Sequence, residues 1–144
     1  LTRKYQNPLV LGKASLKTEP FKASKNKGDI EIFNRVSAYL GNHINEHISI
    51  EQICRDNLVG RSQLQKIFKE QCDLGIIEYF STLKINASKE LIRTRHMNFT
   101  QIAEQLGYTS IHYFSRQFKK ITGMTPSEYA SSVKAVADGS FEEN

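Results

Sequence analysis

Two stretches of this chain concentrate side chains suited to nucleic acid. Between positions 61 and 71 lie Arg61, Gln63, Gln65, Lys66 and Lys69, with Glu70 as the only acid. Between Ser110 and Ile121 lie His112, Arg116, Lys119 and Lys120, with no acid at all. Ammonium and guanidinium groups neutralise phosphates and release their counterions, which gives salt-dependent affinity. Glutamine can pair with the adenine edge and arginine with the guanine edge, each through two hydrogen bonds. Other chemistries find less support. His43 and His47 have the four-residue spacing of a helical zinc pair, but zinc sites need three or four ligands and no third is evident, so a surface pair is expected and no metal. Cys54 and Cys72 are too few for a disulfide framework and fit a reducing, cytoplasmic setting. No glycine-rich phosphate loop, nucleophile elbow or paired carboxylates can be found, so no catalytic residue, no cofactor and no enzyme is expected.

Both stretches read as helices, and so does most of what surrounds them. From Asp29 onward Ile32, Phe33, Val36, Tyr39 and Leu40 recur at three- and four-residue steps, the period of a buried helix face. Ser49-Ile50-Glu51-Gln52 forms a capping box that opens a short helix to Asp56. Asn57-Leu58-Val59-Gly60 then turns the chain, and Arg61–Gln71 is a further helix with Leu64, Ile67 and Phe68 inward. A long helix is predicted over Leu74–Arg93, with Ile76, Phe80, Leu83, Ala87 and Leu91 down one side. Asn98-Phe99-Thr100-Gln101 is a second capping box, and the helix it opens ends at Leu106. Gly107-Tyr108-Thr109 turns into a helix over Ser110–Ile121, Gly123 stops it, and Pro126 opens the last one. Phe33, Phe68, Phe80, Phe99, Phe114 and Phe118 are expected in the core rather than as stacking platforms for single strands, which favours duplex DNA over RNA.

The two short-helix, turn, helix segments repeat one another. Gln52-Ile53 matches Gln101-Ile102 at an offset of 49. One residue is gained in the turn, and Lys66 then matches Arg116, Phe68-Lys69 matches Phe118-Lys119, and Glu78-Tyr79 matches Glu128-Tyr129 at an offset of 50. A repeat of a supersecondary unit means that one packing problem is solved twice. In a helix-turn-helix the second helix enters the major groove while the first braces it, and the basic stretches are the second helices. The joining helix of about 20 residues, at about 1.5 Å per residue, spans about 30 Å, close to the roughly 34 Å of one DNA turn. The expected fold class is therefore all-α, two helix-turn-helix lobes joined by a long linker helix.

Bulk charge is a poor guide. The 144 residues carry a formal +5, but residues 1–28 alone carry +6 and the remainder nets −1. A folded DNA reader needs its cations gathered on one face, which is what the two second helices offer. Residues 1–28, broken by Pro8, Gly12, Pro20 and Gly28, read as a basic interdomain linker in which Leu9-Val10-Leu11 could be a short strand or a clasp. No apolar run is long enough to span a membrane, the start Leu1-Thr2-Arg3-Lys4-Tyr5 lacks the charged and apolar regions of a signal peptide, so none is expected, and a first residue other than Met points to a piece of a longer chain.

The second lobe also carries an extended signature. Ile102-Ala103-Glu104-Gln105-Leu106-Gly107-Tyr108, Tyr113-Phe114-Ser115-Arg116-Gln117-Phe118-Lys119-Lys120 and Thr122-Gly123-Met124-Thr125-Pro126-Ser127-Glu128-Tyr129 closely resemble the AraC/XylS family of bacterial transcription regulators. The resemblance covers about residues 29–132. It implies a seven-helix, two-lobed DNA-binding domain over 29–133, with lobe one at 29–73, a linker helix at 74–94, lobe two at 95–133 and a tail at 134–144. By position, base contacts fall on Ser62, Gln65 and Lys66 in the first lobe and on Ile111, His112, Ser115 and Arg116 in the second. Phosphate contacts fall on Arg61, Lys69, Lys119 and Lys120, and Ile111 could touch a thymine methyl. Ile102, Ala103, Gly107, Phe114, Phe118 and Tyr129 are the structural part of the signature. The first lobe departs from it with Gly60 at a cap usually Ser-like, and with Cys72-Asp73 where the second lobe has Thr122-Gly123.

The resemblance further implies a double-stranded DNA operator as partner, RNA polymerase as a second partner, and a missing N-terminal sensing and dimerising domain. It also implies a cytoplasmic, nucleoid-associated location and, more often than not, activation. The competing function is a helical module that docks RNA polymerase or another protein without DNA specificity of its own.

Overall fold

Capping chemistry sets most of the helix boundaries. In the computed structural model, which describes residues 27–94 and 96–137, there are seven helices and no strand among the described residues. They are α1 (Lys27–Asn42), α2 (Ile50–Asn57), α3 (Arg61–Cys72), α4 (Ile76–Thr94), α5 (Phe99–Gln105), α6 (Ile111–Thr122) and α7 (Pro126–Ala137). Of the basic linker expected over residues 1–28, positions 27 and 28 belong instead to α1, and of the tail expected over 134–144, positions 134–137 belong to α7, because both helices run on past the apolar period that marks them; the rest of both segments lies outside the described residues. α1 begins at Lys27, before the Asp29 start that the apolar period marks. Ser49 accepts the Gln52 N–H at 3.1 Å, and both arms of the capping box form at Asn98, whose Oδ1 takes the Gln101 N–H at 2.8 Å while Gln101 Oε1 takes the Asn98 N–H at 2.9 Å. Ser110 caps α6 by accepting the Tyr113 N–H at 3.0 Å. Gly60 caps α3 with no side-chain bond, a departure that costs little because glycine is an acceptable cap.

The chain forms two compact units that divide between Leu83 and Lys84, inside α4. In the first unit α1, α2, α3 and the opening turns of α4 enclose one apolar cluster, including Val36, Leu40, Ile53, Leu64, Ile67 and Ile76. At its centre Phe33, Phe68 and Tyr79 meet in pairs, with ring centroids 4.7 Å (Phe33–Phe68), 5.1 Å (Phe68–Tyr79) and 6.0 Å (Phe33–Tyr79) apart. In the second unit an aromatic file runs from Tyr108 to Phe114 at 5.3 Å, to Phe118 at 5.9 Å and on to Tyr129 at 5.7 Å. Arg93 Nη1 donates to the Tyr129 hydroxyl at 3.0 Å, tying the end of α4 to α7. Phe99 differs from the other phenylalanines expected in the core: it is half-buried, because it opens α5 beside the capping box at the unit's surface.

The turn after the first helix of each pair has the same backbone hydrogen bonds. Leu58 N–H reaches Arg55 O and Val59 N–H reaches Cys54 O; Gly107 N–H reaches Glu104 O and Tyr108 N–H reaches Ala103 O. Each turn needs a left-handed residue. Gly107 takes it at φ 81°, but Leu58 takes it at φ 54° with its side chain 92% exposed. The ends of the second helices repeat the contrast, with Gly123 at φ 87° and Asp73 at φ 64°. A side chain in this region costs roughly 1–2 kcal/mol because Cβ crowds the following carbonyl.

Leu58→Gly therefore relieves that crowding and loses no burial, offset by about 0.4–1 kcal/mol of added freedom in the unfolded chain. The expected outcome is a net gain of about 0.5–1 kcal/mol, and Gly107→Ala a loss, read by denaturant unfolding. A second prediction concerns Tyr39, whose hydroxyl donates to Asp56 Oδ2 at 2.6 Å. Desolvation first, and then the Asp56 carboxylate, push its phenol from 10.0 up to about 12. Because the folded value is raised, this stabilisation is complete below pH 10 and is lost as pH climbs toward 12. A phenolate absorbance titration should show Tyr39 ionising late, and Asp56→Asn should bring it earlier while leaving the part due to desolvation.

Candidate nucleic-acid interface

α3 and α6 are each divided lengthwise. The inward stripe of α3 is Leu64, Ile67, Phe68 and Cys72, all buried, and that of α6 is Phe114 and Phe118. With those residues anchored in the aromatic cores, a helical repeat of about 3.6 residues leaves the remaining positions on the opposite side. Arg61, Ser62, Gln65, Lys66 and Lys69 are all exposed on α3. His112, Arg116, Lys119 and Lys120 are exposed on α6, while Ile111 and Ser115 are half-buried at its shoulder. Ser62, Gln65, Lys66 and Lys69 follow the three- and four-residue steps of one face, and each has its counterpart fifty positions on at His112, Ser115, Arg116 and Lys119. Within each unit the structure thus brings the sequence-predicted residues together on the solvent side of the second helix.

The electrostatics of the two faces differ. On α3, Arg61 Nη1 lies 3.3 Å from Glu51 Oε2 of α2, and Lys66 Nζ lies 3.9 Å from Glu70 Oε2. Both pairs are largely open to solvent and worth little as stabilisers, but each puts an acid beside a cation of the exposed face. On α6, Arg116, Lys119 and Lys120 show no acidic partner among the described residues, and the Arg116 guanidinium sits 5.8 Å above the Tyr113 ring. An aromatic face attracts a guanidinium and restricts its wandering without neutralising it. Neither Glu51 as a partner of Arg61 nor Tyr113 as a rest for Arg116 follows from the sequence reading. The three-residue step from Tyr113 to Arg116 could have signalled the second; the first joins two helices across a turn.

Other candidate chemistry is sparse. His43 stacks on Tyr39 with centroids 4.1 Å apart, and its Nδ1 lies 2.7 Å from Tyr39 O. Among the described residues no group of three or more His, Cys, Asp or Glu side chains is placed to hold a metal ion. No described helix is long and apolar enough to cross a membrane. Burial raises the Cys54 thiol above its ordinary value, with Arg61 opposing the shift, so the thiolate is disfavoured.

Residues 53–132, more than half of the chain, match the family described as a helix-turn-helix domain. The chain belongs to the AraC/XylS family of helix-turn-helix transcription regulators. It is similar to the transcriptional activator RhaR of Mannheimia succiniciproducens, at 29% identity over 108 residues, 75% of this chain and 39% of that protein. It is also similar to the arabinose operon regulatory protein of Salmonella typhimurium, at 28% identity over 92 residues, 63% of this chain and 33% of that protein. Among solved structures, the C-terminal domain of AraT, a response regulator from Geobacillus stearothermophilus, superimposes with a TM-score of 0.67 at 25% identity, covering 70% of this chain and 84% of that one. The chain spans less than half the length of both curated relatives.

Removing the acid beside Arg61 should tighten binding to any duplex. Glu51→Gln is expected to raise affinity by a factor of about 1.4 to 5, the range set by an exposed ion pair of roughly 0.2–1 kcal/mol, measured by fluorescence anisotropy at low salt. The gain should fade as salt rises, since exposed charges are screened.

Proposed function

We propose that this AraC/XylS-family domain binds double-stranded DNA sequence-specifically, with α3 and α6 as its two major-groove reading helices, in the service of transcription regulation. The observation that carries this reading is the lengthwise division of both helices. Each pins an apolar inner stripe in its own core and presents cations with hydrogen-bonding side chains on its outer side, at matching positions. Ser62, Gln65 and Lys66, with Ile111, His112, Ser115 and Arg116, would meet base edges; Arg61, Lys69, Lys119 and Lys120 would meet phosphates. A site of about 20 base pairs, with the helices in successive major grooves, fits half-elements about 10 base pairs apart. On this reading the domain runs from α1 through α7, and the residues before α1 tether it to a sensing and dimerising domain. The full protein would work in the cytoplasm as an activator that touches RNA polymerase.

Selection from a randomised duplex pool, followed by anisotropy at two salt concentrations, tests the reading. The expected result is an enriched motif with two half-elements and affinity that falls steeply with salt. Absence of binding even at low salt would instead favour a protein-docking module. On the selected duplex, Lys66→Ala and Arg116→Ala should each cost about 1–3 kcal/mol and relax specificity at one position. Lys119→Ala should weaken all duplexes alike and lower the log–log salt slope by about 1. A longer chain that showed neither dimer nor ligand response would overturn the sensing-domain part alone.

A further inference from the structure

The last carbonyls of a helix have no partner within it and carry the negative end of its dipole. In the first unit, Arg35 of α1 donates from Nη2 to Asn57 O at 2.8 Å, at the last residue of α2. In the second unit, Lys84 of α4 donates from Nζ to Leu106 O, the cap residue that ends α5. Arg35 and Lys84 are 49 positions apart, and so are Asn57 and Leu106. The same offset relates the two turns, Leu58-Val59 and Gly107-Tyr108, whose backbone bonds match. So the internal repeat extends to a contact between a long-chain cation and the carbonyl that immediately precedes each turn. The side chains differ and so do their settings: Arg35 is exposed, whereas Lys84 is only 5% exposed and its Nζ lies 5.7 Å over the Tyr108 ring.

We propose that Arg35 and Lys84 are positioning residues for DNA recognition, each clamping the end of the bracing helix so that the turn delivers α3 or α6 at a fixed angle. The inference rests on the DNA-binding reading above and adds residues that lie on neither reading helix. The carbonyls they hold lie four residues before Arg61 and five before Ile111, so a shift at the carbonyl tilts everything that follows. Lys84 is too buried to meet a phosphate, which separates its effect from counterion release. A buried ammonium is costly to desolvate, and an apolar side chain could fill its place. What an apolar replacement could not do is hold the carbonyl in one direction. That two lobes of different sequence meet this need with a cation from the preceding helix argues for a device and against coincidence.

The test compares Lys84→Met, Arg35→Met and Arg35→Lys with the parent chain, each confirmed folded by circular dichroism at the assay temperature. Anisotropy over a salt series is measured on the selected duplex and on an unrelated one. Lys84→Met should lose tenfold or more on the selected duplex, keep its affinity for the unrelated one within twofold, and keep the parent salt slope. Arg35→Met should show a smaller loss of the same kind, and Arg35→Lys should restore binding, since lysine serves in the second unit. Amide exchange supplies a reading that does not depend on DNA: the Val59 amide in the Arg35→Met variant and the Tyr108 amide in Lys84→Met should exchange at least tenfold faster, with Phe68 and Phe118 unchanged. An unchanged ratio of selected to unrelated affinity in folded variants overturns the proposal, and so does a salt slope lowered by about 1 in Arg35→Met, which would mark a phosphate contact. If Lys84→Met does not fold, the two Arg35 variants decide. If the parent chain shows no duplex preference, the DNA reading fails and the exchange rates alone decide the clamp: unchanged rates at Val59 and Tyr108 overturn it.

Discussion

A reading helix is useful only if its angle to the helix that braces it is fixed, and here that angle depends on a short backbone turn. The turn closes through two hydrogen bonds back into the first helix, Leu58 to Arg55 and Val59 to Cys54 in one unit, Gly107 to Glu104 and Tyr108 to Ala103 in the other. Both bonds require a left-handed residue at the first turn position. The second unit meets that demand with glycine and the first with an exposed leucine, so the first holds the same geometry at a higher conformational cost. A turn so short leaves no slack: once it is set, the apolar stripe of the following helix can enter the core in one register only.

That register determines which side chains are left for solvent. Burying Leu64, Ile67 and Phe68 exposes Arg61, Ser62, Gln65, Lys66 and Lys69, and burying Phe114 and Phe118 exposes His112, Arg116, Lys119 and Lys120. Core packing and the chemistry of the exposed face are therefore two consequences of one periodicity. The units then diverge in electrostatics. The first balances part of its charge internally through Glu51 and Glu70, while the second leaves its cations uncompensated among the described residues and steadies Arg116 on an aromatic ring. A nearly neutral domain can thus carry a strongly local positive face, which bulk charge conceals.

The sequence by itself determined a good deal. Capping residues at Ser49 and Asn98, the helix-opening Pro126 and the turn glycines encode helix ends locally, because each acts on backbone groups within three or four residues. The repeat at offsets of 49 and 50 and the signature around Tyr108–Tyr129 carried the family and the all-α architecture. Helix starts that lack a strong cap, as at Lys27, were placed less well, since apolar period marks a face more sharply than an end. Only the tertiary structure decided which polar groups meet across helices. The Arg61–Glu51 pair, the contact of Arg35 with Asn57 O and that of Lys84 with Leu106 O join residues 10, 22 and 22 positions apart. No local rule relates such residues: a long cationic side chain can point many ways, and its partner is fixed only when the cores of Phe68 and Phe118 bring the helices together.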